Sequence, residues 1–111
     1  MAKTLVNAPN AARVGDTIEV RTLIAHPMET GWRPDSGGQL LTRNIVRRIT
    51  CHFDDGQQRQ LVFAAQLHPA VAANPYLAFD MQVTRSGTLE LRWEGDFGLL
   101  QTHTHALRVT A

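Results

Sequence analysis

Two histidines two positions apart, His103 and His105, are the residues best placed to bind one metal ion together. In a strand, residues two apart lie on the same face, so both imidazoles could reach one ion. A zinc centre needs three or four ligands, which makes this pair incomplete. The candidates for further ligands are His26, His52, His68 and Cys51. We predict no complete metal site. A metal-binding or redox module that uses His103, His105 and a third ligand such as His26 is the alternative hypothesis, and two solvent-facing residues on an edge strand are the simpler one.

Cys51 is the only cysteine, so internal disulfides and thiolate-rich metal sites are excluded. A nucleophilic or sulfur-carrying cysteine requires an exposed thiolate with a lowered pKa. Cys51 instead alternates in register with Ile49 and Phe53, and a free cysteine among apolar neighbours usually behaves as a small buried hydrophobe. We predict that it belongs to the core, with sulfur carriage on Cys51 as the alternative.

Other catalytic patterns are missing from the sequence. Ser36 and Ser86 each precede a glycine in a predicted turn, without the strand, turn and helix context that exposes a nucleophile. The adjacent carboxylates Asp54 and Asp55 lie in a predicted hairpin turn, where they favour bonds to the local backbone. No glycine-rich motif opens a helix to hold phosphate. We therefore predict no catalytic residue and no cofactor.

The composition of the chain limits the classes of partner that we expect it to bind. The 11 basic and 10 acidic residues nearly cancel, which does not favour nucleic acid or an anionic membrane surface. No stretch has the ~18–20 uninterrupted apolar residues of a membrane helix. The first ten residues lack the apolar run of a signal peptide, so we expect no export signal on this chain.

The elements that must position these residues are short strands. Apolar and polar residues alternate in runs separated by turn residues, as at 17–25, where Ile18, Val20 and Ile24 share a face. A length of 111 residues suits one domain, here 1–111. The sequence therefore predicts an all-β antiparallel sandwich with seven strands, at 3–6, 17–25, 45–53, 60–67, 76–83, 89–93 and 100–109.

Residues 26–43 interrupt this series of short alternating runs. The segment has eighteen residues and is dense in glycine and proline. Loops of this length are uncommon inside a compact domain and often carry function. It begins with the sequence His26-Pro27-Met28-Glu29-Thr30-Gly31, directly after the strand that ends at Ala25.

This six-residue motif closely resembles the SoxZ family, the Z subunit of the bacterial SoxYZ sulfur-carrier complex. Further similarities follow in the same order, at Asn74-Pro75-Tyr76 and at Gly87 to Trp93 with the turn after it. The resemblance covers nearly the whole chain, from about Gly15 onward.

The resemblance implies an immunoglobulin-like sandwich that is a non-catalytic scaffold. It would pair as a heterodimer with SoxY, whose C-terminal Gly-Gly-Cys-Gly-Gly arm holds sulfur intermediates during thiosulfate oxidation, while other Sox enzymes bind transiently. Residues 107–111 do not resemble such an arm, so we expect this chain to be the scaffold partner. The resemblance also implies a periplasmic location, reached by export together with SoxY.

The motif has two interpretations. It either faces SoxY, its arm or a visiting enzyme, or it is a structural bend in which Pro27 ends the strand, Gly31 permits a turn and Met28 fills the edge of the core. Trp32 and Tyr76 are either interface anchors or core residues. The predicted partner-binding residues are His26, Pro27, Met28, Glu29, Thr30, Gly31, Trp32 and Tyr76.

Overall fold

Eight β-strands form the regular structure of this protein. The computed structural model describes residues 3–69 and 71–111, and these ranges contain no helix. No helix there is thus long and apolar enough to cross a membrane. The strands are β1 Thr4–Asn7, β2 Ala11–Arg13, β3 Thr17–Ile24, β4 Val46–Asp54, β5 Arg59–Gln66, β6 Tyr76–Gln82, β7 Gly87–Gly95 and β8 Leu100–Thr110. All seven predicted strands are present, and the all-β prediction is confirmed.

The strands form two sheets that pack as a sandwich. The smaller sheet has the order β1-β3-β6 and the larger one the order β2-β8-β7-β4-β5. The short strand β2, which the alternation did not predict, pairs in parallel with β8, while the other pairs are antiparallel. The chain therefore changes sheets between β1 and β2.

The core lies between the two sheets. Alternation places Ile18, Val20 and Ile24 of β3 inward, opposite Leu89, Leu91 and Trp93 of β7, and all six are buried. At one side of the sandwich, Phe63 of β5 and Phe79 of β6 stack in parallel with ring centroids 4.4 Å apart. This aromatic pair closes the gap between the two sheet edges.

Strand β4 enters the larger sheet through a bulge. The pairing of β4 with β7 shifts register between Val46 and Arg48, which leaves Arg47 as the extra residue. Both Ile45 and Val46 are buried, although they are consecutive. The bulge accounts for the arginine that interrupts the apolar alternation of this strand.

Candidate functional site

The histidine pair lies where β8 pairs with β7 alone, because β2 pairs with β8 only at residues 108–110. His103 and His105 are half-buried and therefore only partly face solvent. His103 Nδ1 is 3.1 Å from Thr4 Oγ1, and His105 Nε2 is 3.0 Å from the carbonyl oxygen of Pro9. Because a carbonyl only accepts, His105 Nε2 carries the proton and donates it. Both imidazoles thus hold the N-terminal segment against β8.

The third ligand of the metal hypothesis is not brought to this pair. Within the two described ranges, no three His, Cys, Asp or Glu side chains are arranged to hold a metal ion. His26 is buried elsewhere, where its Nδ1 accepts a hydrogen bond from the Met28 N–H at 3.0 Å. The residues present do not support the alternative hypothesis.

Cys51 lies at the centre of β4 and is fully buried, as the core interpretation predicted. Burial raises the pKa of its thiol to about 12, and the negative charge of Glu90 adds to the shift. The thiol is consequently protonated at neutral pH, and no solvent reaches its sulfur. Neither property suits a group that must attack or carry sulfur.

We expect the native protein to resist alkylation at Cys51. Because both the thiolate fraction and the accessibility are low, iodoacetamide should react on the order of 100-fold more slowly than with the urea-unfolded chain. Mass spectrometry of timed samples measures this, with glutathione in the same tube as the reactivity control. Similar rates for native and unfolded protein would contradict the buried placement.

The motif after β3 begins with a buried clasp. The His26 N–H donates to Asn74 Oδ1 at 2.9 Å, and the Asn74 N–H donates to the His26 carbonyl at 2.7 Å. Together with the bond from Met28 to the imidazole, these contacts satisfy both backbone groups of a residue that is 6% exposed. The clasp joins the chain after β3 to the segment before β6.

Met28 closes the end of the core. Its side chain is 4% exposed, and its Sδ accepts a hydrogen bond from the Val46 N–H at 3.2 Å. The position of Met28 agrees with the structural interpretation, in which it fills the edge of the core.

From Glu29 onward the chain leaves the sandwich. Glu29 and Asn44 exchange two backbone hydrogen bonds of 2.8 Å each, and Pro34 and Leu40 form a second antiparallel bridge. We call residues 29–44 the projecting hairpin. The predicted long loop is thus a hairpin with its own ladder contacts.

The tip of the projecting hairpin is a tight turn. Asp35 Oδ1 accepts hydrogen bonds from the N–H groups of Gly37 at 2.8 Å and Gln39 at 3.0 Å. Gly38 has a φ of 84°, which glycine adopts without steric strain. These bonds and the glycine conformation fix the backbone of the tip. The projecting hairpin therefore presents a surface of defined shape.

The base of the projecting hairpin is fixed by charge. Asp96 Oδ2 accepts from Arg43 Nε at 2.9 Å, and Asp96 Oδ1 accepts from Arg43 Nη2 at 3.0 Å. The Ile45 N–H also donates to this carboxylate at 3.2 Å. The pKa of Asp96 is lowered: partial burial opposes ionisation, but the bonds from Arg43 and Ile45 outweigh it. Glu29 and Arg33 form a further ion pair of 2.6 Å on the hairpin.

Two predicted aromatic residues are exposed. Trp32, on the projecting hairpin, is 78% exposed, and Tyr76, at the start of β6, is 57% exposed. Residues 32–40 of the projecting hairpin are all exposed. The core interpretation is wrong for both aromatics. An isolated chain leaves them in water, where large aromatic side chains are unfavourable.

Backbone strain collects at the same end of the molecule. Only three described residues other than glycine have a left-handed φ: Met28 and Asn74 at 53° and Phe97 at 58°. Met28 and Asn74 both bond to His26, and Phe97 lines a cleft of about 300 Å³ with His26 and Pro27. Such strain concentrates at functional positions.

Phe97 is the site residue that the sequence analysis missed. It lies in the turn between β7 and β8 and is 73% exposed. The flanking Gly95 and Gly98 indicated a turn. A large apolar residue in a four-residue turn was itself an indication that Phe97 is exposed for binding. The candidate site is therefore the end of the sandwich formed by the projecting hairpin, the β7–β8 turn and Tyr76.

Comparison with known families assigns the class of this chain. A profile described as "Sulphur oxidation protein SoxZ" matches residues 6–106. The chain therefore belongs to the SoxZ family and has a role in sulfur oxidation. No curated protein matches it.

Solved structures with the same fold include a sulfur carrier. The carrier protein SoxY from Chlorobium limicola f. thiosulfatophilum is 17% identical, with a TM-score of 0.67 over 97% of this chain and 79% of that one. A superoxide reductase (neelaredoxin) from Ignicoccus hospitalis is 16% identical, with a TM-score of 0.74 over 96% of this chain and 79% of that one. These likenesses confirm the immunoglobulin-like sandwich and, at such identities, describe the fold alone.

Proposed function

We propose that this chain is the non-catalytic scaffold of a sulfur-carrier heterodimer, with a SoxY-like partner supplying the reactive cysteine. The observation that carries the proposal is Cys51. A chain of a sulfur-oxidation family has one thiol, and that thiol is fully buried with its pKa raised to about 12. Thiosulfate-derived sulfur must then be held elsewhere, on a thiol that can ionise and move.

The partner surface that we propose is the exposed end of the sandwich. Trp32, Tyr76 and Phe97 offer large aromatic groups, which are enriched in the centres of protein interfaces. The fixed base of the projecting hairpin keeps the entropy cost of ordering this surface low. Among the predicted residues, Glu29 and Arg33 would add a polar rim.

We also propose the periplasm as the compartment, with transient binding by other sulfur-oxidation enzymes. The family membership supports this placement, because the resemblance implies that the pair is exported together. The buried thiol fits an oxidising compartment, since it is shielded from disulfide exchange. Cell fractionation with antibodies against the chain would locate it.

Co-expression with a SoxY-like chain should give one stable complex. On size-exclusion chromatography we expect a single peak that contains both chains in equal amounts, because the exposed aromatic surface becomes buried. Each chain run alone is the control. A persistent mixture of separate chains at micromolar concentration would exclude the heterodimer.

A further inference from the structure

Three arginines converge on a second cleft, which borders the β7–β8 turn. The cleft has a volume of about 430 Å³ and lies where β4, β7 and the start of β8 meet. Arg47, Arg48 and Arg92 line it together with one carboxylate, Glu94. The lining therefore has more positive than negative charge, in a chain whose charges otherwise nearly cancel.

The fold explains why these side chains meet. In the pairing of β4 with β7, Thr50 lies opposite Arg92 and Arg48 opposite Glu94, so Arg48 and Arg92 are diagonal neighbours on one face. Normally Arg47 would point to the other face of the sheet. The bulge at this position turns it toward the same cleft.

The acidic groups nearby only partly compensate this charge. Arg47 Nε is 3.4 Å from Asp96 Oδ1, and Arg92 Nη2 is 3.5 Å from Glu94 Oε1, both longer than a strong charged hydrogen bond. Arg48 forms no ion pair within residues 3–69 and 71–111. The cleft thus holds guanidinium N–H groups that are free to bind an acceptor.

One of these groups is buried without a partner. Arg92 Nε has almost no contact with solvent and has no hydrogen-bond partner among the described residues. Leaving a buried donor of a charged group unpaired is unfavourable, so the guanidinium of Arg92 is incompletely paired. The Arg92 side chain as a whole is 43% exposed and lines the cleft, so its terminal N–H groups are the ones that an anion there can reach.

We infer that this cleft binds a tetrahedral oxyanion of sulfur. Guanidinium groups bind tetrahedral oxyanions through paired N–H···O bonds, and three of them suit the several oxygens of one ion. The oxyanion class follows from the arginines, whereas sulfur as its central atom rests on the proposed function. The ion is either free thiosulfate or a thiosulfonate group carried on a partner's cysteine.

Nuclear magnetic resonance of the arginine Nε–H groups tests this inference. Sodium thiosulfate is titrated into the ¹⁵N-labelled chain, with sodium chloride adjusted to keep ionic strength constant. We expect saturable shifts at Arg48 and Arg92, and about tenfold weaker binding in Arg48→Gln and Arg92→Gln. Glu94→Gln should bind about threefold more tightly, because it removes the only carboxylate in the lining.

Arg59→Gln is the matched control. Arg59 is ion-paired with Glu90 on another part of the larger sheet, so its removal lowers the net charge equally without touching the cleft. Thiosulfate binding that does not saturate, or that falls as much in Arg59→Gln as in Arg92→Gln, would overturn the site. Thermal unfolding of each variant shows whether it remains folded.

A second titration identifies the source of the anion. The probe is a pentapeptide Gly-Gly-Cys-Gly-Gly whose thiol carries the thiosulfonate group. Tighter binding of this peptide than of free thiosulfate supports a carried ion, and the reverse supports a free ion, whereas binding of neither overturns the inference. Chromatographic pairing with a SoxY-like chain is measured separately, so failure of the heterodimer and failure of the anion site are distinguishable.

Discussion

Replacing Trp32 by alanine is expected to weaken binding of the SoxY-like partner about 30-fold, as for an aromatic residue at the centre of an interface. The side chain is 78% exposed and lies in residues 32–40 of the projecting hairpin, all of which are exposed. Its loss should therefore change the free energy of unfolding by no more than about 0.5 kcal/mol. Isothermal titration calorimetry with the purified partner measures the affinity, and urea unfolding measures the stability.

Val14→Ala is the matched control for this change. Val14 is also more than half exposed, but it precedes β3 and so lies at the opposite end of the sandwich from the projecting hairpin. It should leave the affinity unchanged. Equal affinity of Trp32→Ala and the unmodified chain would show that the partner binds another surface, and the proposed interface would have to be abandoned.

Met28→Ala should have its largest effect on stability. Removing a side chain that is 4% exposed at the end of the core leaves a cavity, and about 3 kcal/mol of the free energy of unfolding should be lost. The backbone strain at φ 53° is the same for alanine, so it does not offset the loss. Chemical denaturation in urea, with the slope checked for two-state behaviour, measures the change.

Met28→Leu separates volume from hydrogen bonding. Leucine fills nearly the same space but cannot accept the bond that Val46 N–H donates to Sδ, so a smaller loss of about 1 kcal/mol is expected. A loss below 1 kcal/mol for alanine would mean that Met28 does not close the core. Together with Trp32→Ala, these variants distinguish a core residue of the motif, Met28, from a partner-binding residue that directly follows the motif, Trp32.

The local alternation of apolar and polar residues was sufficient to predict the strands and the buried position of Cys51. Alternation at β3 identified its buried face, and the register of Cys51 with Ile49 and Phe53 placed the thiol in the core. These properties depend on residues that are close in sequence, because the side chains of a strand alternate whatever lies across the sandwich. The strand β2 was missed, since three residues are too few to show a period.

Properties that depend on distant contacts could not be predicted. His103 and His105 share a face as expected, but their partners Thr4 and Pro9 lie more than 90 residues away in the chain. Within the six-residue motif, the buried state of Met28 depends on Val46 and on the pairing of the hairpin base. Phe97 belongs to the candidate site because the β7–β8 turn lies beside the chain that follows β3. The spacing of residues in the sequence does not indicate that these two segments are close in space.

The crossing of the N-terminal segment between sheets constrains the order of assembly. Residues 11–13 pair with residues 108–110, and His105 holds Pro9, so β2 and the segment before it are secured by β8, although β1 pairs with β3. During synthesis this joint cannot form until β8 has left the ribosome, and contacts so far apart in the chain form slowly. Until then β2 has no strand to pair with. A partner that recognises the closed sandwich would therefore select chains in which β8 is already in place.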